Sequence, residues 1–267
     1  AAAPEPVRPA LAAEQAEAVR AIEAQLAGGP IKPLLLFGVT GSGKTEVYLR
    51  AAEAALAAGR QVLVLVPEIN LTPQLEARFT ERFRALLPQP LAIVSLHSAL
   101  TPAQRLQHWL AAHLGHARLV LGTRLAVFAS LPALGLIVVD EEHDPSYKQQ
   151  DGARYSARDL AVWRGHDLSI PVVLGSATPS LETWQHAESG RYERLTLASR
   201  IGGGALPQVR LFDMKSLPAA SGVMSALSEP LLAELRRRLQ RGEQSLVFLN
   251  RRGYAPVLHC GECQWKS

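Results

Sequence analysis

The stretch richest in chemistry is Gly38-Val39-Thr40-Gly41-Ser42-Gly43-Lys44-Thr45, a G-x-x-x-x-G-K-T string. Its glycines let successive backbone N–H groups curl toward one point, where a following helix N-terminus adds partial positive charge. Lys44 is placed to reach the outer phosphates of a nucleotide as a point charge, and the Thr45 hydroxyl to hold Mg²⁺. Such a string is a phosphate loop only between a buried strand and a helix. Both are present, because the apolar run 34–37 precedes it and the helix-compatible run 46–58 follows. The pattern predicts a nucleotide site.

A second constellation closes the apolar run 136–139 with Asp140-Glu141-Glu142-His143. An acidic pair at the end of a buried strand suits Mg²⁺ held by Asp140, with Glu141 orienting or deprotonating the water that attacks the γ-phosphate. The plainer alternative is a pair of solvated loop carboxylates. Directly after it, residues 146–155 interleave Tyr147, Lys148, Gln149, Arg154 and Tyr155. Aromatic faces stack on nucleic-acid bases of any identity, and Lys148 and Arg154 can hold phosphates. The competing reading is a polar surface loop with its two tyrosines packed inward. Cys260 and Cys263 are the chain's two cysteines and supply half of the four ligands that structural zinc takes, with His259 a spare candidate. His108, His113 and His116 read as solvated surface, and Trp109, Trp163 and Trp184 as helix packing. Glu46 and Glu68 are candidates for outer groups near the phosphates.

These groups need a scaffold, and the chain supplies one. Apolar runs near 61–66, 91–96, 118–121, 136–139 and 171–174 alternate with helical stretches at 73–86, 102–113, 157–164 and 180–187. A helix over 11–26 precedes the first strand. That alternation predicts a doubly wound parallel α/β sheet of the P-loop NTPase kind, whose ligands sit beyond the carboxyl ends of the strands. Ser176 and Thr178, after the last strand, belong to the same edge. Glycine- and small-residue stretches at 202–204 and 218–222 mark a boundary, followed by one helix (229–241) and one strand (245–249). The organisation expected is a tail over 1–10, a nucleotide-binding lobe over 11–200 and a linker over 201–226. The start of a second lobe follows over 227–258, and of a cysteine-rich insertion over 259–267. The chain is 48% hydrophobic with a net charge of +4. Disorder is excluded, and mild basicity alone decides nothing about nucleic acid. No apolar run approaches bilayer length, so a cytoplasmic protein without a membrane partner is expected.

Taken together these motifs resemble superfamily 2 helicases, whose first lobe is RecA-like. Asp140 to His143 and Gly175-Ser176-Ala177-Thr178-Pro179 resemble their motifs II and III. Gly122-Thr123-Arg124 resembles the DNA-contacting motif Ib, and Pro67-Glu68 with Thr72-Pro73-Gln74 resembles motif Ia. Residues 11–15 are similar to the glutamine motif that reads adenine. The likeness narrows at Val66-Pro67-Glu68-Ile69, Leu96-His97-Ser98, 140–151, 155–162 and 248–254, which resemble the PriA family of primosomal replication-restart helicases. It runs from about residue 11 to the end.

The resemblance implies ATP and Mg²⁺ as cofactors, with Gln15 on adenine, residues 38–45 and Asp140 on phosphates and metal, and Lys44, Asp140 and Glu141 catalytic. It implies single-stranded and forked DNA as partners, contacted through Arg124, Tyr147, Lys148, Arg154 and Tyr155, with Ser176 and Thr178 linking the two sites. Translocation 3′ to 5′, primosome and single-strand-binding proteins as partners, and Zn²⁺ on Cys260 and Cys263 complete the family picture. The likeness departs at Ala153, where an aromatic is expected. Two other readings stay open: another superfamily 2 translocase, and a DNA-binding primosome-assembly module that does not hydrolyse nucleotide.

Overall fold

Unbroken apolar runs are strands buried on both faces, and here they line up in parallel. The structure, a computed structural model, describes residues 8–67, 73–201, 208–213, 227–248 and 263. The chain divides into two compact units, residues 1–205 and 206–267. In the first, strands β1 (Leu34–Gly38), β2 (Gln61–Leu65), β3 (Ile93–Leu96), β4 (Leu119–Gly122), β5 (Leu134–Val139), β6 (Val172–Ser176) and β7 (Glu193–Leu197) form one sheet. Its order is β3-β4-β2-β5-β6-β1-β7, and every pairing is parallel.

Alternate residues of each strand feed opposite cores, as the two-residue period requires. Leu34, Leu36, Val62, Val64, Leu136 and Val138 pack with Ile22 of α1 (Ala13–Leu26) and with Val47, Ala51 and Ala55 of α2 (Lys44–Ala57). Leu63, Leu65, Ile137, Val139 and Leu174 pack on the other face with Ala112 of α4 (Pro102–His113) and Ala157 and Ala161 of α5 (Ala157–Leu168). Each buried leucine or valine of these layers stabilises by about 1.5–3 kcal/mol. Helices α3 (Pro73–Phe83) and α6 (Leu181–Glu188) complete the unit. The doubly wound α/β sheet expected from the alternation is the fold observed.

Three local expectations need correction. Strand β7 was not anticipated: it buries only Leu195 and Leu197, because it is an edge strand paired to β1 alone. Trp163 and Trp109 are 62% and 40% exposed, on the outer sides of α5 and α4, so neither is core packing. Trp184 does pack, edge-on to Phe37 with ring centroids 5.4 Å apart. In the second unit, α7 (Glu229–Gln240) forms, but residues 245–248 make no strand. A strand needs a neighbour for its hydrogen bonds, and among the described residues none lies alongside. The stretches expected to be boundary glycines, together with Glu68, His259 and Cys260, lie outside the described residues.

Candidate nucleotide site

Strand β1 delivers the glycine-rich loop and α2 leaves it. Gly38 has no space for a side chain, since a Cβ there would lie 2.5 Å from the Ser42 hydroxyl. Gly41 and Gly43 both take φ of +82°, a left-handed conformation that glycine adopts without strain. Gly43 caps α2, where the Glu46 amide already donates to the Gly43 carbonyl at 2.9 Å and the amides before it point out of the helix end, as an anion requires. The Ser42 Oγ is buried and has no hydrogen-bond partner. An unpaired buried donor beside free amides is the donor set that a phosphate oxygen satisfies, so this loop fits a nucleotide. Val39 and Thr45 are half-buried and Thr40 is exposed, on the rim of the loop.

Lys44 donates from Nζ to the Gly38 carbonyl at 2.9 Å and lies 4.0 Å from a carboxylate oxygen of Glu141. Lysine of the loop and carboxylate of the β5 turn therefore meet across the edge. Gln15 is buried against the same loop. Its Nε2 donates to the Ser42 carbonyl at 3.0 Å, and its Oε1 accepts from the Ala12 amide at 2.9 Å. In this structure the glutamine anticipated as an adenine contact ties α1 to the phosphate loop, with both ends of its amide engaged. On the outer side, the Ile201 amide donates to the Gly41 carbonyl at 3.0 Å. Glu46 is buried in ion pairs with Arg50 at 3.0 Å and Arg82 at 2.9 Å, joining α2 to α3 instead of facing the phosphates.

The turn after β5 is held from both flanks. The Asp140 amide donates to the Leu65 carbonyl at 2.9 Å and the Glu142 amide to the Gly175 carbonyl at 3.0 Å. Between them Glu141 takes φ of +45°, a left-handed conformation that costs a non-glycine residue about 1–3 kcal/mol. That twist sends Glu141 toward Lys44 while its neighbours turn inward. Asp140 accepts from the Tyr48 hydroxyl at 2.9 Å. Burial, with the neighbouring Glu141 charge, raises the Asp140 pKa against the opposing pull of Tyr48 and Lys44. Burial likewise pushes the Tyr48 hydroxyl well above its ordinary range, so it is a donor at any physiological pH.

His143 reaches β6. Its Nδ1 pairs with Ser176 Oγ at 2.8 Å and lies 3.7 Å from Glu141, while Nε2 meets Thr178 Oγ1 at 3.3 Å. Ser176 and Thr178 are thereby joined to the β5 turn by a single imidazole.

Glu142 went unassigned in the sequence and is the most heavily bonded carboxylate of the turn. It is 2% exposed and accepts from Arg158 (3.2 Å), the Ser180 amide (2.7 Å), the Ser180 hydroxyl (3.1 Å) and Thr183 (2.8 Å). It thus fastens α5 and the start of α6 to the β5 turn. All of its side-chain partners are distant in sequence, and no local pattern marks them.

The aromatic loop divides in two. Tyr147 is 1% exposed and donates its hydroxyl to the Asp140 carbonyl at 2.7 Å. Its ring is therefore not a stacking face, which corrects that part of the expectation, although the contact with Asp140 does link loop and turn. Tyr155 is half-buried and meets Phe128 edge-on at 5.0 Å. Phe128, 58% exposed, was not singled out in the sequence. Lys148 and Arg154 are exposed. Arg124 is half-buried and donates to the Ser146 and Lys148 carbonyls at 2.8 and 3.3 Å, so it braces the loop. Among the described residues no cluster of three or more His, Cys, Asp or Glu could hold a metal, and Cys263 is exposed. No described helix is long and apolar enough to cross a membrane.

The family model for DEAD/DEAH box helicase matches residues 13–187. The chain is 49% identical over 231 residues to the replication restart protein PriA of Haemophilus influenzae, covering 86% of this chain and 30% of that protein. It is 42% identical over 250 residues to PriA of Bacillus subtilis, covering 94% and 30%. The chain spans about a third of the length of the curated relatives it matches. Among solved structures it is similar to RecG bound to a three-way DNA junction, with a TM-score of 0.50 and 23% identity over 74% of this chain and 25% of RecG. It is similar also to the DEAD-box helicase Mss116 bound to ssRNA and UDP-BeF, with a TM-score of 0.51 and 17% identity over 71% of this chain and 40% of that one. At these identities the two structures establish the fold alone, that of a RecA-like helicase lobe. The chain belongs to the DEAD/DEAH box helicase family, and over most of its length it resembles the replication restart protein PriA.

Proposed function

We propose that this chain is the nucleotide-binding lobe, with the opening of the second lobe, of an ATP-dependent DNA helicase that moves 3′ to 5′ on single strands and restarts replication at stalled forks. The observation that carries this is the meeting of Lys44 and Glu141, 4.0 Å apart, across strand ends that also present Asp140 and Thr45. In this reading residues 38–45 bind the ATP phosphates, and Thr45 and Asp140 would hold Mg²⁺, which would supply charge neutralisation during phosphoryl transfer. Glu141 orients the attacking water and takes its proton, while Lys44 stabilises the transferring group. Gln15 serves the nucleotide through the loop it braces.

Lys148, Arg154, Tyr155 and Arg124 serve single-stranded or forked DNA, and Tyr147 carries the occupancy of that loop to the backbone of Asp140. His143 joins Ser176 and Thr178 to the same turn. Cys260 and Cys263 contribute to a Zn²⁺ site completed by further cysteines, and primosome and single-strand-binding proteins are the protein partners, in the cytoplasm. Helicases of this class draw an arginine finger from the second lobe, a residue worth about 10³–10⁵ in rate in related systems. Efficient hydrolysis therefore requires the second lobe as well as these residues.

The test is ATP hydrolysis by the full-length protein with and without single-stranded and forked DNA, beside Lys44→Ala. Strong DNA stimulation that the substitution abolishes is the expected result. Fork binding without hydrolysis would make the protein a loading scaffold instead.

A further inference from the structure

We infer that Tyr48 is a positioning residue for magnesium, fixing the Asp140 carboxylate, and that position 175 is glycine to let it do so. The inference rests on the nucleotide reading above. Tyr48 lies four residues after Lys44, so lysine and tyrosine share one face of α2. Its ring is 2% exposed in the core beneath the loop, where phenylalanine or leucine would pack equally well. The hydroxyl is what such a residue would lack. It reaches one oxygen of Asp140, Oδ1, at 2.9 Å. The bond fixes the rotation of the carboxylate.

A core tyrosine could simply find the nearest acceptor, but the neighbouring strand argues otherwise. A Cβ on Gly175 would lie 1.6 Å from the Tyr48 hydroxyl oxygen and 2.7 Å from Cζ. Any side chain at 175 would displace the ring from Asp140. Gly175 does not take a left-handed backbone, so conformational freedom is not its reason for being glycine. Clearance for the tyrosine is. Phosphate-loop helix, metal carboxylate and β6 thus interlock at one hydroxyl, and Tyr147 holds the carbonyl of the same aspartate at 2.7 Å. Groups that orient a metal ligand are typically worth about 10–100-fold in metal affinity.

The experiment measures binding of a fluorescent ATP analogue to the full-length protein, in EDTA and across a magnesium titration. For Tyr48→Phe the magnesium needed for half-maximal enhancement rises about 10–100-fold, while binding in EDTA is unchanged. Gly175→Ala gives the same split, and Tyr48→Phe adds nothing in an Asp140→Asn background. Tyr48→Phe with the magnesium requirement of the wild type overturns the assignment. So does a variant that loses equal affinity with and without magnesium, since the tyrosine would then be packing alone. If Gly175→Ala does not fold, Tyr48→Phe decides by itself, because it removes one oxygen and no volume. A wild type without magnesium-enhanced binding overturns the nucleotide reading, and this assignment with it.

Discussion

Glu141 and Glu142 are consecutive carboxylates, yet the two sides of the turn they occupy share no chemistry. On the phosphate side, Glu141 is held by its backbone in a left-handed conformation and faces Lys44 and His143 at 4.0 and 3.7 Å. Neither of these side-chain contacts is a close hydrogen bond. On the inner side Glu142 is sealed from water and accepts from three side chains and one amide. The Glu141 side leaves its charges loosely paired, as the proposed nucleotide site requires. The inner side satisfies them fully so that the turn cannot move. A carboxylate pair in a sequence can thus be half chemistry and half masonry.

The largest expected effect separates these two halves. Glu142→Ala takes from buried Arg158 its one buried carboxylate partner, leaving it only Asp159 and Ser180, and strips the acceptor from Ser180 and Thr183, for a loss of about 3–5 kcal/mol in urea unfolding. Glu141→Gln alters unfolding by no more than about 0.5 kcal/mol. Equal losses would break the contrast. Next in size is Arg158→Met, which removes one charged donor from Glu142 but keeps the three others, costing about 1–3 kcal/mol. Burial works against the Arg158 charge, and its bonds to Asp159 and Glu142 outweigh that, leaving its pKa raised. A smaller effect is expected for Tyr147→Phe. Losing its bond to the Asp140 carbonyl costs about 0.5–1.5 kcal/mol by thermal unfolding, and DNA stimulation of hydrolysis in the full-length protein falls more than basal hydrolysis does.

How much of this could be read from the sequence follows from where each residue's partners lie. The glycine-rich turn between β1 and α2 was legible because glycines, lysine, strand and helix are contiguous, and so were the central strands, whose burial on both faces leaves an unbroken apolar run. Strand β7 was not, since an edge strand that buries only Leu195 and Leu197 carries a weak pattern. Residues 245–248 show the converse, an apolar run with strand propensity and no described neighbour to pair with. Glu142 was invisible because Arg158, Ser180 and Thr183 come to it only through the fold. Tyr147 was legible as an aromatic beside Asp140 but not as a buried one, for loop sequence does not say which way a ring turns. Tyr48 sat inside a helical apolar pattern, where nothing distinguishes a hydroxyl with a purpose from packing.

The smallest expected effect tests whether the outer side of the turn stays under-satisfied at Asp140. Burial raises the Asp140 pKa, and the bond from Tyr48 with the charge of Lys44 only partly offsets this. Below the ordinary aspartate value the group is protonated in folded and unfolded chains alike and contributes no difference. As pH rises through the interval between that value and the raised one, the unfolded chain ionises first and the folded state loses relative stability. Asp140→Asn keeps an acceptor for Tyr48 and has no charge to bury. Urea unfolding in EDTA should therefore give equal stabilities for variant and wild type at acid pH, with the variant ahead at neutral pH. Magnesium-enhanced nucleotide binding by the wild type, which needs the ionised carboxylate, should fade on acidification above the ordinary aspartate range. A variant less stable than the wild type at neutral pH would mean that Tyr48 and Lys44 already satisfy Asp140, and that both sides of the turn are built for rigidity.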